Sequence, residues 1–190
     1  MEFCFLNESG KIKEPEDWNK HGRGKLWLYN LHYFDDLNAE NAQGRHKWHA
    51  EYIRRWIAEN PPGEGVGWEP YPTSLRMVNW VKWILGGSAP EKEMSESLAV
   101  QARWLGKRLE YHLLGNHLLA NAKALVTGGL FFSGKEARGW YKKGMDLLET
   151  QFQEQVLGDG GHFERSPMYH LIVLEDLLDL INFHQVYGVS

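Results

Sequence analysis

The sequence predicts an all-α protein made of antiparallel helical hairpins. Six segments with helical spacing of apolar residues follow one another from His46 onward, and the stretches between them lack the alternating pattern of a strand. Polar, glycine-containing segments recur before every second helix, with Gly67 and Gly115 48 residues apart and Gly115 and Gly160 45 residues apart. A near-constant spacing of this length indicates a repeat of two helices.

The helices are expected between clear start and stop signals. Residues 1–45 are predicted to be irregular with short extended pieces, because Lys25–Phe34 follows neither the helical nor the strand period. Thr73 is the expected N-cap of the second helix, and Gly86-Gly87 ends it. The predicted helices are His46–Ala58, Thr73–Leu85, Glu91–Leu114, Asn116–Phe132, Lys135–Val156 and one that begins near Pro167. The predicted helical domain therefore covers residues 46–190.

Composition excludes several classes of protein. The formal charge of −4 gives no indication of a nucleic-acid or membrane partner, and no window approaches the apolar length of a membrane span. The single cysteine, Cys4, excludes an internal disulfide framework and a cysteine-based zinc site. The N-terminus lacks the basic and apolar regions of a signal peptide, so the chain as written is predicted to be cytoplasmic.

The aromatic content has two interpretations. Nine tryptophans and an aromatic share of 13% could provide flat platforms for sugar rings. They could equally be core and helix-packing residues, which we expect for most of them.

Three polar segments are the candidate functional regions: Gly67–Pro72, Leu114–His117 and Asp159–His170. In the last of these, Gly160-Gly161 permits a tight turn and Ser166-Pro167 is typical of a helix start. If alternate helices run parallel, as stacked hairpins require, the three segments open at the same end of the array. This arrangement predicts a binding cleft lined by loops.

Four motifs together resemble the heparinase II/III-like family. They are LYNLHYFDD at Leu28–Asp36, GWEPYPTSLRMVNW at Gly67–Trp80, HLLGNHLLANAKA at His112–Ala124 and GGHFERSPMYH at Gly160–His170. The resemblance is to the N-terminal helical domain of the family and extends from about Leu26 to Asn182. Four motifs in the same order are specific, whereas any one of them alone is weak.

The resemblance implies an (α/α) toroid followed by a β-sandwich domain, and a polysaccharide lyase that acts on uronic-acid-containing chains. The β-sandwich, which supplies a further catalytic histidine in the family, is absent from this chain, and three hairpins make only a partial toroid. We therefore expect a fragment with little or no activity alone. The location of the parent protein is left open, and it could be periplasmic or secreted. No cofactor is expected in this chain, and a structural metal would belong to the absent domain.

The resemblance also assigns roles to individual residues. Tyr169 matches the tyrosine that acts as the acid and also as the base, and a phenol needs a nearby cation or donor to do so at neutral pH. Arg165 and His170 are the nearest candidates in sequence. Asn116 and His117 match the segment that neutralises the substrate carboxylate, with Asn116 favoured because an amide donates without first being protonated.

Other residues are candidates for substrate binding. Trp68, Glu69, Tyr71 and Arg76 could line a sugar subsite, and Glu164 and Arg165 could orient Tyr169 or bind a sugar acid. His162 could be a base or a donor that stabilises its loop. Structural alternatives remain, since Asn116 could only cap its helix, Glu69 could cap a turn and Tyr169 could pack on Phe163.

Three other functions compete with the lyase. Glu69 and Glu164 lie on different loops and could be the carboxylate pair of an α/α-barrel glycoside hydrolase. The chain could instead be a non-catalytic polysaccharide-binding or assembly module. A metal site at His162, Glu164 and His170 is disfavoured because their spacing matches no standard zinc pattern. The expected partner is an acidic polysaccharide rather than a nucleic acid, and the sequence does not define an oligomeric state.

Overall fold

A computed structural model describes residues 1–87, 90–113 and 115–188, which form two compact units, Met1–Trp104 and Leu105–Ser190. The predicted all-α class is confirmed, because helices account for nearly all of the regular structure in these residues. The α-helices are α1 (Lys25–Tyr33), α2 (His46–Glu59), α3 (Pro70–Leu85), α4 (Lys92–Leu105), α5 (Asn116–Phe131), α6 (Lys135–Gln155) and α7 (Pro167–Val186). In the described ranges, no helix has the length and apolar character needed to cross a bilayer.

The N-terminal region contains short extended pieces, as predicted, but the prediction that it is otherwise irregular is wrong because it also contains a helix. An antiparallel hairpin pairs β1 (Glu2–Phe5) with β2 (Glu8–Lys11), and α1 follows. Both Trp27 and His32 are buried although they do not share one face of α1, because the helix is covered by the hairpin on one side and by α3 on another. A helix covered on several sides has no amphipathic period, which is why its sequence pattern was misleading.

Most helix boundaries agree with the sequence prediction to within a residue or two. The N-cap prediction for α3 is wrong, because the helix begins at Pro70 after Glu69, while the buried Thr73 hydroxyl donates to the carbonyl of Gly67. The prediction for α4 is also too long, since the helix ends at Leu105 before a glycine-containing turn. Leu114, the predicted end of that helix, lies outside the described residues.

The core of the first unit is aromatic. The Phe34 ring stacks on Tyr52 with ring centroids 3.9 Å apart and meets the Trp80 ring edge-on at 5.4 Å. Trp56 in turn meets Trp80 edge-on at 5.6 Å. The tryptophans with buried side chains are Trp18, Trp27, Trp56, Trp68, Trp80 and Trp83. The interpretation of most tryptophans as core residues is therefore confirmed.

The second unit is built from α5, α6 and α7, and contacts at both ends define their directions. The end of α6 meets the start of α5, because the Gln155 side chain donates to the Gly115 carbonyl. The start of α6 meets the end of α5, where a Cβ on Gly129 would lie 2.6 Å from Tyr141. Tyr141 also hydrogen-bonds His184 near the end of α7. Hence α6 runs antiparallel to both neighbours, and α5 and α7 are parallel.

Candidate active site

The parallel helices α5 and α7 place their first turns at one end of the second unit. Asn116 and His117 begin α5, and Tyr169 and His170 lie in the first turn of α7. The prediction that alternate helices run parallel is therefore confirmed for this pair. Whether Gly67–Pro72 shares the same end stays a prediction.

The start of α5 is set by a glycine rather than by a capping side chain. Gly115 is the N-cap, with φ of +83° and no side-chain cap. Asn116 is consequently the first helical residue and not the cap, which corrects the capping alternative. Asn116 and His117 are both half-buried, so their side chains remain partly accessible at the end of the unit.

The loop before α5 is held by a buried carboxylate. Glu110 is 5% exposed, and its Oε1 lies 3.3 Å from Nδ1 of His117. Its Oε2 accepts from the Asn121 amide at 3.2 Å, while Asn121 Oδ1 accepts from the Glu110 backbone N–H at 2.9 Å. This two-way exchange fixes the segment before α5 onto the second turn of that helix, and it gives His117 an anionic neighbour.

The start of α7 has the predicted helix-start chemistry. Ser166 is the N-cap, its hydroxyl accepts from the Tyr169 backbone N–H at 3.5 Å, and Pro167 occupies the first turn. Arg165, just before the cap, has φ of +54°, a left-handed conformation that is uncommon for a residue with a side chain. Tyr169 is half-buried, and its ring lies 6.1 Å from the His162 ring. Tyr169 thus lies against His162, whereas its packing on Phe163 stays a prediction.

A short relay joins the two helix starts. His162 is 4% exposed, and its Nδ1 accepts from the Glu164 backbone N–H at 3.4 Å, which leaves the ring proton on Nε2. Nε2 lies 3.3 Å from Oε1 of Gln155, whose amide nitrogen donates to the Gly115 carbonyl at 2.8 Å. His162 therefore fits the second predicted alternative, a donor that stabilises its loop, because both ring nitrogens are engaged.

Glu164 meets the start of α5 from the opposite loop. A Cβ built on Gly115 would lie 2.7 Å from Oε1 of Glu164, so the absence of a side chain at Gly115 leaves room for the carboxylate. Glu164, Arg165 and His170 are exposed. Together with Tyr169, Asn116 and His117, they form a polar surface at the starts of α5 and α7.

In the first unit, two predicted subsite residues are buried. The Arg76 side chain is fully buried, and its guanidinium donates to Gln101 Oε1 at 2.9 Å and to the Gly67 carbonyl at 2.8 Å. It stacks 3.8 Å above the Trp56 ring, and burial lowers its pKa well below the ordinary value. Trp68 is 3% exposed and packs on Trp56. These positions correct the expectation that Arg76 and Trp68 contact a sugar. Both side chains are buried, and Arg76 holds the Gly67–Pro72 segment through the Gly67 carbonyl.

The other two predicted subsite residues, Glu69 and Tyr71, are partly accessible. The Glu69 carboxylate accepts from the Tyr29 hydroxyl and lies 2.8 Å from the Lys25 ammonium. Glu69 occupies the N-cap position of α3, but its side chain does not cap the helix. Its carboxylate binds Tyr29 and Lys25 instead of capping a turn. Tyr71 is half-buried and meets Tyr33 edge-on at 5.9 Å. A sugar contact by Glu69 or Tyr71 stays a prediction.

The arrangement in the second unit can bind an anion and move a proton. The N-terminal ends of α5 and α7 carry partial positive charge, which favours a carboxylate placed near Asn116. Tyr169 supplies a hydroxyl at the neighbouring helix start. Among the described residues, no three His, Cys, Asp or Glu side chains are grouped as a metal site requires.

Sequence reasoning missed the residues that connect these elements. Gln155 and Glu110 are both buried polar residues whose partners are 40 and 11 residues away in the chain. One signal was present for Gln155, because Gln151 and Gln155 are four residues apart beside the apolar Leu148 and Phe152. Amides at helical spacing along an apolar stripe indicate a buried polar contact.

Comparison with known proteins identifies one family that covers most of the chain. A model of the heparinase II/III N-terminus family matches residues 26–190. A heparin-sulfate lyase of Bacteroides stercoris is 39% identical over 79 residues, covering 41% of this chain and 12% of the relative. One of Bacteroides thetaiotaomicron is 26% identical over 179 residues, covering 83% of this chain and 24% of the relative. The FtsZ-localized protein C of Caulobacter vibrioides is 27% identical over 161 residues, covering 82% of this chain and 28% of the relative.

A solved structure shows the same fold. The crystal structure of heparan sulfate lyase HepC from Pedobacter heparinus matches with a TM-score of 0.64 and 20% identity. The match covers 96% of this chain and 32% of that one, and it confirms the predicted fold class of a partial (α/α) toroid. The chain thus spans less than a third of each of these proteins.

Proposed function

The chain belongs to the heparinase II/III N-terminus family, and we propose that it is part of a polysaccharide lyase that cleaves uronic-acid-containing chains by β-elimination. One observation carries the proposal: the parallel helices α5 and α7 present Asn116 and Tyr169 at the same end of one unit. The heparin-sulfate lyases among its relatives support an acidic polysaccharide as the substrate.

The chemistry requires three tasks. A base removes the proton at C5 of the uronate, the electron pair left behind forms the C4–C5 double bond, and the C4–O bond breaks as an acid protonates the departing oxygen. The C5 proton is acidic only if the negative charge that develops on the adjacent carboxylate is stabilised. Donors at that carboxylate therefore lower the barrier to removal of the C5 proton.

We assign the carboxylate contact to Asn116. The amide donates hydrogen bonds without a change of protonation, and it lies at the positively polarised start of α5. His117 is the second choice because its Nδ1 already faces the Glu110 carboxylate. Anchored to Glu110, His117 would orient the first turn that carries Asn116.

We assign proton transfer to Tyr169. Its backbone is fixed by the Ser166 cap, and its ring packs beside His162, which the Gln155 relay holds in place. Rigid support of this kind matters because proton transfer needs the donor and acceptor within hydrogen-bond reach. The exposed Arg165, as a cation, and the exposed His170, as a hydrogen-bond donor, are the groups proposed to favour the phenolate.

The test is an assay of the full-length open reading frame that encodes this chain, on a panel of uronate polysaccharides. We expect products with the ultraviolet absorbance of an unsaturated uronate, and Tyr169→Phe should lower kcat by about 10²-fold or more. Tyr141→Phe, at the opposite end of the same unit, is the matched control and should retain activity. Full activity in Tyr169→Phe would refute the assignment.

The same assay separates the competing functions. Chain cleavage without the unsaturated product would indicate a glycoside hydrolase, with Glu69 and Glu164 as the first residues to replace. Binding of the polysaccharide without cleavage would indicate a binding or assembly module. The chain of residues 1–190 should show little activity in parallel, since it would lack the groups that the remainder of a lyase supplies.

A further inference from the structure

A buried ion cluster joins α5 to α7 below the candidate active site. The Lys123 ammonium lies 2.7 Å from Oδ1 of Asp176 and 2.6 Å from Oδ2 of Asp179. The side chains of Lys123, Asp176 and Asp179 are only 6%, 9% and 12% exposed, respectively. Although burial opposes the charge on Lys123, the two carboxylates raise its pKa, so the lysine is held as a cation.

This cluster is an unusual way to stabilise a helix pair. Apolar core residues, among them Ala122 on α5 and Val173 on α7, lie beside it on both helices. A well-packed apolar set in place of a buried ion group is often equally stable or more stable. What an ion cluster provides, and an apolar patch does not, is a single register. The Lys123 ammonium can meet both carboxylates in only one alignment of α7 along α5, and a slide by one helical turn would break at least one contact.

Lys123 and Asp176 have the same spacing along their helices from the candidate active-site residues. Lys123 is seven residues after Asn116 on α5, and Asp176 is seven residues after Tyr169 on α7. Seven residues are nearly two turns, so Lys123 lies on the same helix face as Asn116, and Asp176 on the same face as Tyr169, each about 10.5 Å along the axis. The Lys123–Asp176 pair thus lies the same number of residues along α5 and α7 from the Asn116–Tyr169 pair.

We propose that Lys123, Asp176 and Asp179 are positioning residues that fix the separation and facing of Asn116 and Tyr169. The catalytic part of this inference rests on the proposed lyase function. Its structural part does not, because the register of α7 on α5 can be measured without any reaction. Misplacement of a proton-transfer group by about 1 Å can cost about 10²-fold in rate. A contact that fixes the register of α7 on α5 can therefore change kcat strongly.

The decisive variant replaces the whole cluster by apolar residues: Lys123→Met, Asp176→Leu and Asp179→Leu together. Single replacements leave a buried charge without its partner and are expected to impair folding. The triple variant removes all three charges and should keep the melting temperature of the wild type. A matched control, Lys142→Gln with Asp146→Asn, removes an exposed ion pair on α6.

Two readouts are made on the full-length protein with Cys4 and any cysteine outside residues 1–190 replaced by serine. Spin labels at Leu113→Cys, just before α5, and His170→Cys report the distance between the two helix starts, and we expect a broader or shifted distribution in the triple variant only. In the unlabelled proteins, kcat should fall by about tenfold or more in the triple variant. Adding Tyr169→Phe to that variant should then cost less than it does in the wild type.

The outcomes are separable. An unchanged distance distribution in the folded triple variant would overturn the positioning role, whatever the activity. A changed distribution with unchanged kcat would overturn the catalytic part and leave the register role standing. If the wild type has no lyase activity, the proposed function fails, and the distance measurement still decides whether the cluster sets the register.

Discussion

The carboxylate of Glu164 occupies the space that a side chain at Gly115 would fill, with Oε1 only 2.7 Å from the Cβ position. The contact brings the loop before α7 against the first residue before α5. The Gln155 side chain, in the same place, binds the Gly115 carbonyl and His162. Gly115 is therefore a junction of the two helix starts.

Gly115→Ala should lower the free energy of unfolding and the activity together. Its φ of +83° and ψ of −146° lie in a region that residues with a side chain rarely adopt, which costs about 1–3 kcal/mol. The Glu164 carboxylate is exposed and can rotate away from the new methyl group, so the clash adds little to that cost. Glu164 would nevertheless leave its position, and kcat should fall.

Gly134→Ala is the matched control for this substitution. Gly134 is also the N-cap of a helix, with φ of +99°, but a Cβ there meets no atom within 4 Å. The two variants should therefore lose similar stability in urea unfolding, while only Gly115→Ala loses activity. If Gly115→Ala combined with Glu164→Ala is less active than Glu164→Ala alone, the effect acts through the backbone of Asn116 instead of through Glu164.

Replacement of Gln155 should loosen the same junction. In Gln155→Leu, the Gly115 carbonyl and Nε2 of His162 lose their partner within the protein interior, which costs about 1–3 kcal/mol of unfolding free energy. Gln153→Leu, on an exposed face of the same helix, should leave stability unchanged to within about 0.5 kcal/mol. Equal stability of the two variants in chemical denaturation would contradict the relay.

The sequence predicted what depends on local pattern and failed where partners are distant in the chain. Helical spacing of apolar residues and glycine stop signals located α2, α5, α6 and α7, and the Ser166-Pro167 start was correct because a cap acts within three residues. The helix α1 was missed because its surroundings are apolar on several sides, and burial of that kind erases the period.

The candidate site shows the same division. The first-turn position of Tyr169 follows from local sequence, whereas the burial of Arg76 depends on Gln101 and His32, which lie 25 and 44 residues away. An arginine that follows a polar segment near a helix start resembles a ligand-binding residue in sequence. Only the fold reveals that its donors are used by the protein itself.

Substitutions at the start of α5 should distinguish Asn116 from His117. Removing one preorganised donor at a developing negative charge typically costs about 10²–10³-fold in kcat, so Asn116→Ala should show a loss of that size in the full-length enzyme. Asn116→Asp should be at least as severe, because it places a negative charge beside the substrate carboxylate. His117→Gln should lose less, since glutamine can still donate to Glu110. A larger loss in His117→Gln than in Asn116→Ala would reverse the assignment.

The first unit should be destabilised by acid through His32. This histidine is fully buried, its Nδ1 accepts from Trp56 Nε1 at 2.9 Å, and Nε2 lies 3.1 Å from the Trp18 carbonyl. Burial, with a further contribution from the Arg76 charge, lowers its pKa from 6.5 to about 3. A depressed pKa means that the unfolded chain binds the proton more tightly than the folded one. The associated stability is therefore present above pH 6.5 and is lost as the pH falls toward 3.

Because each pKa unit corresponds to about 1.4 kcal/mol, the loss should amount to several kcal/mol across this range. Tryptophan fluorescence during urea unfolding at a series of pH values is a suitable measurement, since eight of the nine tryptophans belong to the first unit. His32→Gln should be less stable at neutral pH but lose less on acidification, because glutamine does not titrate. The exposed His21, replaced by Gln, should reproduce the wild-type pH dependence. The same pH dependence in His32→Gln as in the wild type would show that other groups cause the acid sensitivity.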